Sequence, residues 1–537
     1  MTDTGTLNLA WSQAMIYGFV TAGITEAVIS PGSRSTPLAL AMLRQPGLRC
    51  HVAIDERSAA FFGLGLAKTS RRPVLLLATS GTAPANWLPA VIEASLSGVP
   101  LILISADRPP ELQDCGANQT VNQSGLFGSH VRASHMLGTP EPGFDPGYLG
   151  RLSAQACEQA TWPHPGPVHI NQPFREPLLP SSPLPANEPL KTICIAPPIP
   201  QPDPDAVSDL AQRIAGRPGI IVCGEMPLRD GQKEALVTLA TRLGCPIFAE
   251  PLSGLRYGPH DRSQLCVRYN DWLANTDLAS KYKPDWVIRF GAYPVTRNLQ
   301  NLISTIAETH ALVDPWPRWI DPAHKLTHLL RSEPDAVCKA LIDHSLAPAS
   351  EAWLSLFAKL EREAATDKKN SHIQILIDEM PNDTDLFIGN SMAIRQMDTH
   401  SGSAAKTLRV YANRGASGID GNISTAAGIA ASRGQAVALI GDLTCQHDIG
   451  GLALTQGFNI VIIVVNNGGG GIFDHLPQRD LPEFIQGWRT PQNLNFEHAS
   501  TAFGLHYDSA NSDDDFRQAL RSALAAGGPH LIELRQC

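Results

Sequence analysis

Residues 436–471 read AVALIGDLTCQHDIGGLALTQGFNIVIIVVNNGGGG, and this stretch decides how the chain is understood. Ala436 to Ile440 and Ile460 to Val465 are short apolar runs of strand length. The first ends in Gly441-Asp442, the second in Asn466-Asn467 and four glycines, with Asn467 standing 25 residues after Asp442. A carboxylate and an amide on adjacent strand ends can hold a small hard cation. A backbone carbonyl of the glycine turn can add an oxygen and leave positions for phosphate oxygens and water. Glycines also let the backbone come close to a diphosphate. Taken alone, Gly-Asp at a strand end is more often a helix N-cap, and a glycine run is often only a loop. The pairing at this spacing favours a metal–diphosphate site.

The same style extends outward. Before it, Leu386-Phe387-Ile388 ends at Gly389-Asn390-Ser391, and Leu408 to Ala412 ends at Asn413-Arg414-Gly415. Near the start of the chain Ala27-Val28-Ile29 precedes a Pro-Gly turn. His51 to Ile54 runs into a helix beginning near Asp55, Val74 to Ala78 into Thr79-Ser80-Gly81, and Leu101 to Ile104 into Ser105-Ala106-Asp107-Arg108. Strands alternating with helices predict α/β architecture with parallel sheets, whose ligands bind beyond the carboxyl ends of the strands. The middle of the chain also reads α/β (Gly219 to Val222, Trp286 to Ile288), but its strands end in less polar chemistry. Ten prolines among residues 177–204 mark an extended linker, and a weaker break falls at 346–350. The expected division is 1–180, a linker at 181–204, 205–347 and 348–537: three doubly wound parallel-sheet domains, the outer two building the site.

Composition narrows the function. With 537 residues, 43% hydrophobic and only 17% charged, the chain has large interiors and is neither disordered nor a coiled coil. A formal charge of −9 argues against a nucleic-acid partner. No apolar run approaches a membrane span, and the first basic residue is Arg34, so no secretory n-region is expected. Ten scattered cysteines without a CxxC predict reduced thiols and a cytoplasmic location. Neither a GxxxxGK[ST] loop nor a GxGxxG in the right setting is present.

The GD…NN pattern resembles the diphosphate motif of the thiamine-diphosphate enzymes. Four further stretches are similar to the 2-succinyl-5-enolpyruvyl-6-hydroxy-3-cyclohexene-1-carboxylate synthases of menaquinone and phylloquinone biosynthesis: Ser30-Pro31-Gly32-Ser33-Arg34-Ser35-Thr36-Pro37-Leu38, Ala106-Asp107-Arg108-Pro109-Pro110-Glu111-Leu112, Gly116-Ala117-Asn118-Gln119 and Asn413-Arg414-Gly415-Ala416-Ser417-Gly418-Ile419-Asp420-Gly421. The likeness covers both outer segments and is thin between about 190 and 370.

That resemblance implies a pyrimidine-binding, a central and a diphosphate-binding domain. It implies thiamine diphosphate with Mg2+ or Mn2+, and a transferase that decarboxylates 2-oxoglutarate and adds the succinyl carbanion to isochorismate in a conjugate, Stetter-like step. Glu56, in Ile54-Asp55-Glu56-Arg57-Ser58, matches the glutamate that acts on the cofactor's aminopyrimidine ring; out of context the triplet reads as a charged first helical turn. Asp442, Asn467 and the Gly469 carbonyl match the metal ligands, and Ile419 the residue that wedges the cofactor. Ser391, Arg395 and Arg414 are implied for 2-oxoglutarate. Ser33, Arg34, Arg108, Asn118 and Gln119 are implied for isochorismate, with Ile472, Phe473 and Leu476 as an apolar wall. Both substrates are dianions, which suits the arginine fork. Where relatives carry a central-domain lysine, this chain offers Arg297, with the charge kept but not the geometry. Family sites lie between chains, which implies a homodimer or a tetramer of paired dimers. The alternatives are another thiamine-diphosphate-dependent 2-oxoacid decarboxylase or carboligase, and an inactive subunit that keeps the cofactor fold.

Overall fold

A computed structural model describes residues 3–181, 191–226, 228–229, 231–275, 282–306, 308–366 and 371–535. Within them the chain forms three six-stranded sheets, and every strand pair is parallel. The first contains β1 (Glu26–Ile29), β2 (Arg49–Val52), β3 (Val74–Ala78), β4 (Leu101–Asp107), β5 (Ala133–Met136) and β6 (Pro167–Pro173), in the order β2-β1-β3-β4-β6-β5. The second contains β7 (Gly219–Cys223), β8 (Ile247–Ala249), β9 (Leu265–Cys266), β10 (Trp286–Phe290), β11 (Thr309–Val313) and β12 (His328–Leu330), ordered β12-β11-β10-β7-β8-β9. The third contains β13 (Thr384–Ile388), β14 (Leu408–Tyr411), β15 (Gln435–Gly441), β16 (Asn459–Asn466), β17 (His506–Ala510) and β18 (Pro529–Arg535), ordered β14-β13-β15-β16-β18-β17. In each sheet the order reverses once near the middle, as doubly wound folds require, and such a reversal opens a crevice at the strand ends.

The apolar runs become strands because both of their faces are covered. Leu75, Leu77, Ile102 and Ile104 enter one core, while Val74, Leu76, Leu101 and Leu103 enter another, following the two-residue alternation of a strand. The second of these cores is shared. It joins Leu76 and Val28 of the first sheet to Ala438, Ile440, Ile462 and Val464 of the third. Helices Glu56–Ser70 and Asn422–Arg433 lie between those sheets and touch backbone to backbone. A Cβ on Gly65 would lie 2.1 Å from the Thr425 carbonyl oxygen, and one on Gly428 2.1 Å from that of Phe62. Only glycine allows that approach.

Two boundaries differ from expectation. β2 ends at Val52 rather than Ile54, because the Asp55 side chain already accepts the Arg57 and Ser58 N–H groups as helix N-cap. Residues 182–190 of the expected linker lie outside the described residues, and 191–203 run without helix or strand. Helix Glu351–Thr366, expected in the last domain, packs on the central sheet instead: Trp353, Phe357 and Leu360 bury with Ile220, Val222 and Val287. The central unit therefore extends past residue 348, the expected start of the last domain. No helix among the described residues is long and apolar enough to cross a membrane.

Candidate active site

β15 and β16 are neighbours in register, Gly441 opposite Val465, so Asp442 and Asn467 emerge side by side. The Asp442 carboxylate accepts N–H groups from Leu443 at 2.8 Å and Gly469 at 2.7 Å. Burial pushes its pKa above the ordinary value, against the pull of those N–H groups and of the Arg489 charge. Asn467 Oδ1 is buried with no hydrogen-bond partner among the described residues. Gly469 has φ +126°, and a Cβ there would lie 2.2 Å from the Arg489 carbonyl oxygen. Arg489 fixes the turn from both ends, donating to the Asn467 carbonyl at 2.5 Å and accepting the Gly470 N–H at 2.7 Å. A carboxylate beside an unpaired amide oxygen is a hard oxygen donor set, which suits Mg2+ or Mn2+ binding a diphosphate. No group of three or more His, Cys, Asp or Glu residues among the described ones offers a competing site. The residues present therefore fit the implied metal and cofactor.

Two arginine pairs stand at strand ends, one in the third domain with this centre and one in the first. Arg395 and Arg414 stand close enough that burial and the Arg414 charge together lower the Arg395 pKa. Arg395 Nη1 donates to the Ser391 carbonyl at 2.7 Å, and Arg414 Nη1 to Asn390 Oδ1 at 2.7 Å. Ser391 has φ +65°, a left-handed conformation that is rare without glycine and marks a strained junction between β13 and helix Met392–His400. Asn390 Nδ2 donates to the carbonyls of Asn413 at 2.8 Å and Gly418 at 2.7 Å, drawing the loop that carries Arg414 and half-buried Ile419 toward Ser391.

The second pair, Arg34 and Arg108, lies beyond β1 and β4. Arg34 is buried; its Nη1 donates to the Phe174 carbonyl at 3.0 Å and its Nη2 to Glu176 Oε1 at 2.8 Å, while Nε has no partner among the described residues. Burial and the Arg34 charge lower the Arg108 pKa. Arg108 Nη1 donates to Ser80 Oγ, and Gln119 Nε2 to the Ser80 carbonyl at 3.0 Å. Ser33 and Asn118 are exposed at the same rim.

Glu56 opens helix Glu56–Ser70 and is half-buried. Its neighbour Arg57 donates to the His447 carbonyl at 3.3 Å and faces Asp448 at 3.7 Å, so the turn after helix Asp442–His447 braces it. No hydrogen bond or ion pair among the described residues joins Glu56 to Asp442 or Asn467. Beside it Val52 and Ile54 are 60% and 86% exposed, an apolar lip at the sheet end. Ile472 and Phe473 are half-buried and Leu476 exposed, on a turn tethered by Arg489 to Asp474 at 3.5 Å. Arg297 is exposed at the first turn of helix Arg297–Thr305, and no contact brings it to either arginine pair. The loop before it is tied instead by Glu250, whose carboxylate accepts the Val295 N–H at 2.6 Å. Sequence reasoning passed over Asn390, Arg489 and the buried Glu93. The last was visible only as a single charge in the otherwise uncharged helix Leu88–Ser97.

Comparison with known proteins follows this geometry. Residues 10–126 match the family described as "Thiamine pyrophosphate enzyme, N-terminal TPP binding domain". Residues 203–388 match "Middle domain of thiamine pyrophosphate", and 394–534 match "Thiamine pyrophosphate enzyme, C-terminal TPP binding domain". The chain is 80% identical over 537 residues, all of both chains, to the 2-succinyl-5-enolpyruvyl-6-hydroxy-3-cyclohexene-1-carboxylate synthase of Dechloromonas aromatica. It is 40% identical over 545 residues to that of Geobacillus kaustophilus, covering 98% of this chain and 94% of the other. Among solved structures it is similar to benzoylformate decarboxylase from Polynucleobacter necessarius. The TM-score is 0.73 at 17% identity, covering 98% of each chain, a likeness of fold alone.

Proposed function

Because the chain belongs to the thiamine-diphosphate-dependent 2-succinyl-5-enolpyruvyl-6-hydroxy-3-cyclohexene-1-carboxylate synthase family, we propose that its metal site and two arginine pairs serve one reaction on two dianions. The enzyme is a transferase of menaquinone biosynthesis. It decarboxylates 2-oxoglutarate and adds the remaining four-carbon unit to isochorismate. Support comes above all from the paired guanidiniums. Holding like charges together at strand ends, against desolvation, is favourable when an anion joins them.

Thiamine diphosphate, when bound, supplies the electron sink that lets carbon dioxide leave and the new carbon–carbon bond form. Asp442, Asn467 and the Gly469 carbonyl would hold its metal and diphosphate, and Ile419 would support it. Glu56 would hold a proton against its aminopyrimidine ring. Arg395 and Arg414, with Ser391, grip the carboxylates of 2-oxoglutarate. Arg34 and Arg108, with Ser33, Asn118 and Gln119, orient isochorismate, and Ile472, Phe473 and Leu476 exclude water from its ring. Arg297 would add charge at the outer rim.

No hydrogen bond or ion pair among the described residues joins Glu56 to Asp442, and beside it lies an exposed apolar lip. We infer that a second copy completes the site, giving at least a homodimer. The bare thiols and acidic surface are in keeping with the cytoplasm. The deciding experiment is mass detection of the product from 2-oxoglutarate and isochorismate, omitting cofactor and Mg2+ in turn. Each omission should abolish the product. Turnover of pyruvate without isochorismate would instead indicate another 2-oxoacid decarboxylase or carboligase, and a cofactor-loaded but inert protein a binding subunit.

A further inference from the structure

We propose that Glu93 is a positioning residue that sets Arg414 and Ile419 for the 2-oxoglutarate end of the reaction. Helix Leu88–Ser97, in the first domain, carries Glu93 as its one charged residue, 2% exposed in an otherwise uncharged sequence. Both carboxylate oxygens reach across to the third domain. Oε1 accepts the Gly415 N–H at 2.9 Å and Oε2 the Ala416 N–H at 2.7 Å. Charge-assisted bonds of this kind are among the stronger ones a buried group can make. The loop rests directly on the helix backbone, since a Cβ on Gly415 would lie 2.6 Å from the Glu93 carbonyl oxygen and 2.9 Å from the Ser97 nitrogen.

Lys68, at the far end of helix Glu56–Ser70, completes the clamp. Its Nζ donates to the Ala412 carbonyl at 2.8 Å and stands 4.0 Å from Glu93 and 4.0 Å from Glu225 of the central domain. All three domains thus meet under one loop. On its other side Asn390 grips Asn413 and Gly418. Arg414 sits between the two grips, and Ile419 follows the second. A buried carboxylate without its two N–H partners would be costly, so the loop and the helix are held to one mutual position. Glu93 touches no reacting atom. Its effect passes through the loop backbone.

This proposal rests on the roles given above to Arg414 and Ile419. Wild-type turnover of both substrates reports on those roles, and the ratios among a variant's constants report on Glu93. The variants are Glu93→Ala and Glu93→Gln, the latter keeping size and one acceptor but turning an amide N–H toward a backbone N–H. Thiamine diphosphate affinity is read by intrinsic fluorescence titration with Mg2+, and KM for each substrate separately. Glu93→Ala should raise the 2-oxoglutarate KM about tenfold or more and weaken cofactor binding about fivefold. Glu93→Gln should fall between it and wild type, with the isochorismate KM within about twofold in both. If Glu93→Ala does not fold, Glu93→Gln decides. Cofactor affinity and 2-oxoglutarate KM both within about twofold of wild type would overturn the proposal, as would all three constants moving by one common factor.

Discussion

The proposed sharing of the site between chains makes a quantitative prediction. Glu56 is half-buried with no side-chain hydrogen bond or ion pair among the described residues, next to Val52 and Ile54 at 60% and 86% exposure, whereas Asp442 and Asn467 lie at the ends of β15 and β16. Glu56→Gln removes the group that moves a proton, and Asp442→Asn removes the charged metal ligand. Each homodimer should lose on the order of 10²-fold or more in kcat. In a hybrid dimer of one Glu56→Gln and one Asp442→Asn chain, both lesions fall in one shared site and leave the other intact. Such a hybrid should show about half of wild-type activity per dimer. Co-expression with two different tags, sequential capture on both, and light scattering to confirm the dimer give the species to assay. Were the site built within one chain, every site in the hybrid would carry one lesion. Activity no higher than in either parent homodimer would refute the shared site.

Three further outcomes follow from local geometry. Arg395→Lys keeps the charge but loses the fork, and should raise the 2-oxoglutarate KM about tenfold while sparing isochorismate; equal changes in both would argue against the assignment. Gly469→Ala places a Cβ 2.2 Å from the Arg489 carbonyl at φ +126°, and should weaken Mg2+-dependent thiamine diphosphate binding about tenfold in a fluorescence titration. Burial raises the Asp448 carboxyl from 3.8 to about 6, against the pull of Ser424 and Arg57. The folded protein therefore binds more protons than the unfolded chain across that window. Asp448 then costs stability increasingly as pH rises from about 4 to 6, by ~3 kcal/mol in full above it. Urea denaturation of wild type and Asp448→Asn at pH 4.5 and 7 should show the variant gaining most at pH 7, and a pH-independent difference would count against this.

Much of the architecture was legible because parallel strands covered on both faces leave plain apolar runs, such as Leu101 to Ile104 and Ile460 to Val465. The neighbouring of Asp442 and Asn467 was legible for a related reason, since both follow such runs directly. Helix Glu351–Thr366 was not: its Trp353, Phe357 and Leu360 make an amphipathic stripe that would serve any adjacent sheet, and only tertiary packing selects the central one. Glu93 escaped notice because a lone carboxylate in a helix says nothing of backbone N–H groups more than 300 residues away. Arg297 was selected for its charge, but the fold turns it to solvent. The arginine pairs were individually visible, yet the lowering of Arg108 and Arg395, by burial and by a neighbouring guanidinium, exists only once loops from separate strands converge.

The contact of Gly65 with Thr425 and of Gly428 with Phe62 also bears on how the molecule moves. Two helices locked at backbone distance have no room to slide, because any shift drives a carbonyl into the opposing chain. The outer domains are therefore tightly coupled at this seam. Methyl groups added at Gly65 and Gly428 would act as a jack, prising the block open from inside, far from any catalytic atom.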